Sequence, residues 1–261
     1  MRIATYNADL SRRGPGLLLR DILTAADPQV EAAARVISAA APDVILLTGI
    51  DYDLDARALS AFAGRIRAAG VDFPYRLALR PNTGMTTGID LDGDGRTGGP
   101  GDAQGFGRFA GEGGMAVLSR LPLGHATDYS AFLWRDLPGN LLDGAKLSTQ
   151  AEVIQRLSST GHWTVPVKLP GGRTLTLLAW LATPPVFDGP EDRNGRRNHD
   201  EAAFWLRLLD GHLPFAPPPA PFVLLGDPHP DPHDGDGLAE ALTTLLARPP
   251  PTDPPAPGHG V

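Results

Sequence analysis

The sequence predicts an α/β (α+β) fold with a single core, and three observations carry the prediction. Strand and helix patterns alternate from Arg2 to Gly70, two short runs are continuously apolar in the manner of strands covered on both faces, and the polar residues capable of chemistry gather where those runs end. At 261 residues, 42% hydrophobic and 20% charged, the chain is long enough to bury a sizeable core, and no internal linker divides it. With 31 Gly and 27 Pro, much of the remainder is loop. Residues 1–248 read as the folded domain, and 249–261, RPPPTDPPAPGHGV less its first residue, as a disordered proline-rich tail.

Arg2 to Asn7 is a strand in which Ile3 and Thr5 alternate against Ala4 and Tyr6. Val30, Ala33, Ala34 and Ile37 then fall at helical spacing behind Asp27-Pro28, an N-cap with a first-turn proline, and Pro42 stops the helix. Val44–Leu47 is a second strand, with Thr48, Gly49, Ile50 and Asp51 at its exit. Leu59, Phe62 and Ile66 mark another helix closed by Gly70. Met115–Ser119 is a strand, and Trp163–Val167 with Arg173–Leu181 a hairpin turning at Pro170-Gly171-Gly172. A helix runs from about His199 to Leu209 behind Asn198 as its cap, and Leu238–Leu246 is the last helix. Between them Phe222–Leu225 is a short, continuously apolar strand, ended by Gly226, so Asp227 stands at the carboxyl end of a core strand where ligands gather in α/β sheets.

A net charge of -7 and pI near 5.4 argue against a broad electrostatic footprint for nucleic acid or an anionic membrane. The absence of cysteine excludes disulfides, thiolate metal sites and a cysteine nucleophile. MRIATYNADL reads as a strand rather than a signal peptide, and no apolar run reaches membrane-spanning length, so the expectation is a cytoplasmic chain, or a secreted or periplasmic one if this is a processed form.

Three stretches offer chemistry. The long loop 82–114 contains Asp90-x-Asp92-Gly-Asp94-Gly95, the oxygen spacing and glycine of a calcium loop, although Gly101 stands where the bidentate glutamate belongs; Ca²⁺ binding and a solvated acidic turn are both consistent with it. Arg193, Arg196 and Arg197, with Asn198, form the densest positive cluster, which suits a phosphate cradle ahead of a helix or a solvated basic turn. Beyond Gly226, the residues Asp227, His229, Asp231 and His233 alternate with prolines. In an extended chain they would share a face and suit Zn, Mn or Fe, whereas polyproline geometry would fan them apart.

Taken in order, RIATYNADL, PDVILLTGIDYD, GEGGMAVLSRLPL, LAWLATPPVFDGPEDRNGRRNHDE and FVLLGDPHPDPHDGDG resemble the endonuclease/exonuclease/phosphatase superfamily, nearest to a bacterial branch carrying DLDGDG and RNGRRNHDE. The resemblance implies a DNase I-like four-layer sandwich, two mixed β-sheets face to face with helices outside, here lacking the closing C-terminal strand. It implies divalent-metal-dependent phosphoester hydrolysis on a small molecule or nucleic acid, with Mg²⁺ neutralising phosphate charge as water attacks. Asn7 and Asp227 match the family pattern, and His229 occupies the place of its signature asparagine. The rest departs from it: Gly49 stands where a metal-binding glutamate is implied, Leu181 where a histidine is, Gly113 where a tyrosine is, and no Ser-Asp-His follows. Asp231 remains as a further metal ligand. The substitutions predict an activity impaired or lost, with a non-catalytic binding module built on the arginine-lined cleft and the calcium loop as the alternative.

Overall fold

The computed structural model describes residues 1–25, 27–230 and 237–248. Among these residues eight strands form two four-stranded mixed sheets. The first contains β1 (Ile3–Leu10), β2 (Val44–Ile50), β3 (Tyr75–Leu77) and β4 (Gly114–Ser119) in the order β1-β2-β4-β3. The second contains β5 (Thr127–Asp128), β6 (Gly161–Lys168), β7 (Thr174–Leu181) and β8 (Phe222–Asp227) in sequence order. β1 runs parallel to β2 and β7 parallel to β8, and the other pairs are antiparallel.

Alternation along the strands makes this a four-layer molecule, because successive side chains leave a sheet on opposite faces. Val44, Leu46, Met115 and Val117 point inward to meet Trp163, Val165, Leu177, Ala179 and Leu225 of the other sheet. Ile45, Leu47, Ala116 and Leu118 point outward under the helices α1 (Leu17–Thr24), α2 (Pro28–Ala40) and α3 (Arg57–Ala68). On the far side Leu178 and Trp180 lie beneath α5 (Arg193–Leu209) and α6 (Glu240–Ala247), while the short α4 (Thr149–Ile154) buries Ala151 in the same cluster. Each fully buried Trp or Leu of these layers contributes on the order of 2 kcal/mol through removal of its apolar surface from water.

Local chemistry agrees with most of the elements. Asp27 caps α2 by accepting from the amides of Gln29 and Val30, both at 2.9 Å, with Pro28 in the first turn. The hairpin turns at Pro170–Gly172 as its residues dictate. Two expectations are corrected. α5 begins at Arg193, not near His199, so Asn198 is an interior residue rather than its cap. β8 is apolar on both faces, Phe222 and Leu224 toward the helices and Val223 and Leu225 between the sheets, yet among the described residues it is the edge of its sheet and only its Leu225 is buried. An apolar run reports cover on two faces and carries no information about pairing on two edges.

Candidate active site

Parallel pairing brings neighbouring strand exits level, with Asn7 opposite Thr48 and Leu181 opposite Asp227. The sheets are tied here by the Thr5 hydroxyl, which donates to the Gly226 carbonyl at 3.5 Å. Asn7 lies two residues beyond Thr5 and therefore on the same face of β1, and Asp227 follows Gly226, so both converge on one mouth. The close approach requires glycine at 226: with φ +153, a Cβ there would stand 2.0 Å from the Trp180 carbonyl oxygen.

The pairing of β1 with β2 slips between Asn7 and Leu10. Asn7 Oδ1 turns back to accept from the Asp9 amide at 3.2 Å, and Gly49, opposite, has φ +66. A Cβ at Gly49 would lie 2.7 Å from Asn7 Oδ1 and 3.2 Å from the Asp9 nitrogen. The place implied for a glutamate thus has a left-handed backbone that disfavours any side chain, and the Asn7 carboxamide stands in its space. Gly113 is also left-handed, φ +58. The carboxylate next along, Asp51, is buried and accepts from Ser11 Oγ at 2.8 Å, the Arg12 amide at 2.9 Å and the Gly113 amide at 3.0 Å. Burial raises its pKa against the pull of those donors. Asp51 binds three loops together at the mouth, with three of its roughly four acceptor sites engaged.

Asp227 Oδ1 accepts from the His229 amide at 3.0 Å and stands 3.8 Å from His229 Nδ1. This is a tight turn in which His229 takes φ 66. Leu181, beside Asp227, packs with the apolar residues between the sheets. Asp231 and His233 lie outside the described residues, as does the tail 249–261.

The basic cluster divides. Arg197 is buried, its Nε donating to Leu157 O at 2.9 Å and its Nη2 to the carbonyls of Gln104, Arg156 and Ser158 at 2.6, 2.8 and 3.1 Å. Asn198 is buried too and donates to Thr183 O and Pro228 O at 2.7 and 2.8 Å, clamping the chain beyond β7 to the chain beyond β8. Both side chains are thus buried and bonded to backbone carbonyls, through Nε and Nη2 in Arg197 and Nδ2 in Asn198, rather than displayed in an open cradle as the sequence suggested. Arg193 reaches the acidic loop, donating to Leu91 O at 3.2 Å, and Arg196 donates from Nε to Glu191 O at 2.9 Å. Both keep further donors.

The same helix carries the buried carboxylates that polar patterning failed to reveal. Glu201 accepts from Ser159 N, Ser159 Oγ and Thr183 N at 2.6, 2.8 and 2.6 Å. Burial pushes its pKa up to about 7 against the attraction of Arg197. Asp200 accepts from Trp134 Nε1 at 2.6 Å and Leu141 N at 2.7 Å. His162 stacks on Trp205 with its Nε2 3.0 Å from Glu201 O, and burial lowers its pKa to about 4. The only advance signal of these roles was the spacing of Arg197 and Glu201, one helical turn apart.

In the acidic loop, Asp90 and Asp92 gather with Asp102, their oxygens within 4.8 Å of one another. Asp94 instead accepts from the Arg96 amide at 2.8 Å and is not part of this group. Asp102 is buried, accepting from Leu91 N at 2.7 Å and Gly99 N at 2.8 Å, and the Leu91 amide foremost lowers its pKa. Gly101 makes room: a Cβ there would fall 2.0 Å from Asp92 Oδ2.

A model of the Endonuclease/Exonuclease/phosphatase family matches residues 4–227, from β1 through the exit of β8. The chain belongs to this family. No curated protein matches it. Among solved structures, an endonuclease/exonuclease/phosphatase from Beutenbergia cavernae DSM 12333 is 17% identical with a TM-score of 0.50, covering 91% of this chain and 49% of that one. Sphingomyelinase C from Streptomyces griseocarneus is 19% identical, TM-score 0.51, over 95% of this chain and 68% of its own. Beta toxin from Staphylococcus aureus, in a structure with bound magnesium ions, is 11% identical, TM-score 0.51, over 94% and 69%. The chain spans about half the length of the first and about two thirds of the others, and at these identities the likeness is one of fold.

The resemblance read from the sequence implies Mg²⁺ at this mouth. Mg²⁺ takes a near-octahedral shell of oxygens anchored by carboxylates. Among the described residues the mouth offers Asp227, one oxygen of which is held by the His229 amide, and the Asn7 carboxamide, held by the Asp9 amide. Gly49 adds no side chain, and Asp51 has both oxygens engaged in tying the loops, one of them by a single amide. The described residues therefore present one carboxylate with an uncommitted oxygen at the mouth, the low end of what Mg²⁺ takes.

Proposed function

We propose that this chain is a family member in which metal-dependent phosphoester hydrolysis is impaired or lost while the fold and the strand-exit mouth are kept. The observation that carries the reading is Gly49, whose left-handed φ of +66 and missing Cβ space leave no room for a metal-binding carboxylate on β2. Leu181 in place of a histidine removes a group able to hold or donate a proton, and His229 in place of asparagine is turned into a local contact with Asp227. Loss of one acid–base or electrostatic group typically costs ~10²–10⁴-fold in rate. Groups acting as a unit do not add, so several losses remove most of the catalysis. The test compares turnover of a nitrophenyl phosphodiester and nicking of plasmid DNA in Mg²⁺, Mn²⁺, Ca²⁺ and Zn²⁺. The reading expects the metal-free blank rate in each, including for Leu181→His/His229→Asn, because the β2 carboxylate is still missing.

A second reading, a binding module stiffened by Ca²⁺, is favoured by one specific observation, the convergence of Asp90, Asp92 and Asp102. In it the ion sits on these three carboxylates, the loop orders Arg193 through Leu91, and a phosphoester of a small molecule or nucleic acid is bound without being cleaved. Ca²⁺ at a hundred times its Kd would stabilise the fold by about 2.7 kcal/mol. A melting temperature unmoved by millimolar Ca²⁺ defeats this reading and leaves the first intact.

A further inference from the structure

A separate cleft opens beside α3, lined by Ser60, Ala63, Gly64, Arg67, Asp72 and Arg76 and holding about 190 Å³. It lies away from the strand exits. Arg76 on β3 pairs with Leu118 near the end of β4, whereas the mouth lies by Gly114, where β4 begins. Ser60, Ala63, Gly64 and Arg67 share one face of α3, and the β3 edge supplies the opposite wall. Gly64 leaves the middle open, since a Cβ there would meet nothing within 4 Å.

The polar groups have capacity to spare. Arg76 Nη1 donates to Phe73 O at 3.2 Å, which leaves its other nitrogens free to turn into the cleft. Among the described residues neither arginine lies within 4 Å of a carboxylate, Asp72 included. Two exposed arginines lining one cleft, Arg67 from α3 and Arg76 from β3, suit a tetrahedral oxyanion, because each planar fork can grip two oxygens at once.

We propose that this cleft binds a phosphate group, held by Arg67 and Arg76 with the Ser60 hydroxyl donating to a third oxygen. Asp72, an acceptor at the rim, repels a bare ion and favours a phosphomonoester whose alcohol carries a hydroxyl to donate to it. The volume admits such a molecule, being far above the 10–15 Å³ or so that one water needs.

The experiment titrates the ¹⁵N-labelled full chain with inorganic phosphate, glycerol phosphate, sulfate and, at matched ionic strength, chloride, following amide shifts. Saturating shifts at Ser60, Gly64 and Arg67 are expected with the phosphates, with glycerol phosphate binding more tightly than the free ion. Arg67→Gln and Arg76→Gln each weaken binding ~10-fold or more, in line with loss of a charge-assisted bidentate contact. Gly64→Gln fills the cleft and blocks binding without lowering the melting temperature, which separates occlusion from misfolding. Asp72→Asn tightens inorganic phosphate and erases the preference for the ester. Shifts that chloride reproduces, or that survive Gly64→Gln and the two arginine changes, overturn the proposal.

Discussion

Replacing Gly49 with glutamate puts back the carboxylate that the family resemblance implies, and the structure predicts that it fails. A non-glycine residue at φ +66 is strained by about 1–3 kcal/mol. Its Cβ would stand 2.7 Å from Asn7 Oδ1, so the carboxamide has to leave and surrender its 3.2 Å hydrogen bond from the Asp9 amide, at a cost of about 0.5–1.5 kcal/mol. Together these destabilise the fold by about 1.5–4.5 kcal/mol, a fall in melting temperature of about 3–18 °C for a chain of this size. Gly49→Ala carries the same backbone strain and the same clash without the charge, so its melt should fall by a similar amount. Adding Asn7→Ala to Gly49→Ala should relieve the steric part, a coupling of about 1 kcal/mol in a double-mutant cycle. The assay is thermal melting by circular dichroism beside phosphodiester turnover in Mn²⁺. A Gly49→Glu protein as stable as the original and newly active would refute the reasoning, because it would mean that the left-handed glycine was a replaceable accident.

Arg197→Leu should be among the most damaging single changes, at about 3–5 kcal/mol, since it removes a donor from four carbonyls, three of which keep a second one from Gln155 or Asn82, and leaves buried Glu201 without its neighbouring cation; Arg196→Ala, with one backbone contact, should cost under about 1 kcal/mol by urea denaturation. Gly226→Ala should abolish soluble folded protein, because its Cβ meets the Trp180 carbonyl oxygen at 2.0 Å and backbone cannot retreat; a normal melt would contradict this. The pH dependence has two opposed parts. Glu201, raised to about 7 from an ordinary 4.5, binds its proton more tightly when folded, so its contribution is complete below the lower value and is lost as pH rises to about 7. His162, lowered to about 4 from 6.5, is held neutral, so its contribution is complete above 6.5 and lost as pH falls to about 4. The original chain should therefore melt almost independently of pH between those limits, Glu201→Gln should lose stability on acidification below 6.5, and His162→Phe should lose it on alkalinisation; a Glu201→Gln melt flat across that range would rule the account out.

Much of the scaffold was legible in the sequence because it rests on period and punctuation. Alternation marked β1, continuous apolar runs located β2 and β8, Asp27-Pro28 announced α2, and Pro170-Gly171-Gly172 announced the hairpin. What stayed hidden was long-range. The start of α5 reads as a basic turn, since RNGRRN has no apolar face, and only the carbonyls of Leu157, Ser158, Gln104 and Arg156, far away in sequence, make Arg197 an interior residue. β8 reads as central because its faces are covered, while its place at the edge of the sheet among the described residues leaves no mark in composition. At the mouth the identities were readable and the geometry was not. Gly49 could be seen to lack a carboxylate, but nothing local showed that its φ is positive or that Asn7 fills the gap. In the acidic loop the spacing pointed to Asp94, and the fold supplied Asp102 instead, one residue past the ligand position that Gly101 leaves empty.

The central claim is that the strand-exit mouth no longer supports metal-assisted hydrolysis. Its most direct test is the rate of phosphodiester cleavage by the original chain and by Asp227→Ala, side by side in saturating Mg²⁺ and Mn²⁺. The account predicts two rates equal to each other and to the metal-free blank; metal-dependent turnover by the original chain that disappears in Asp227→Ala would contradict it.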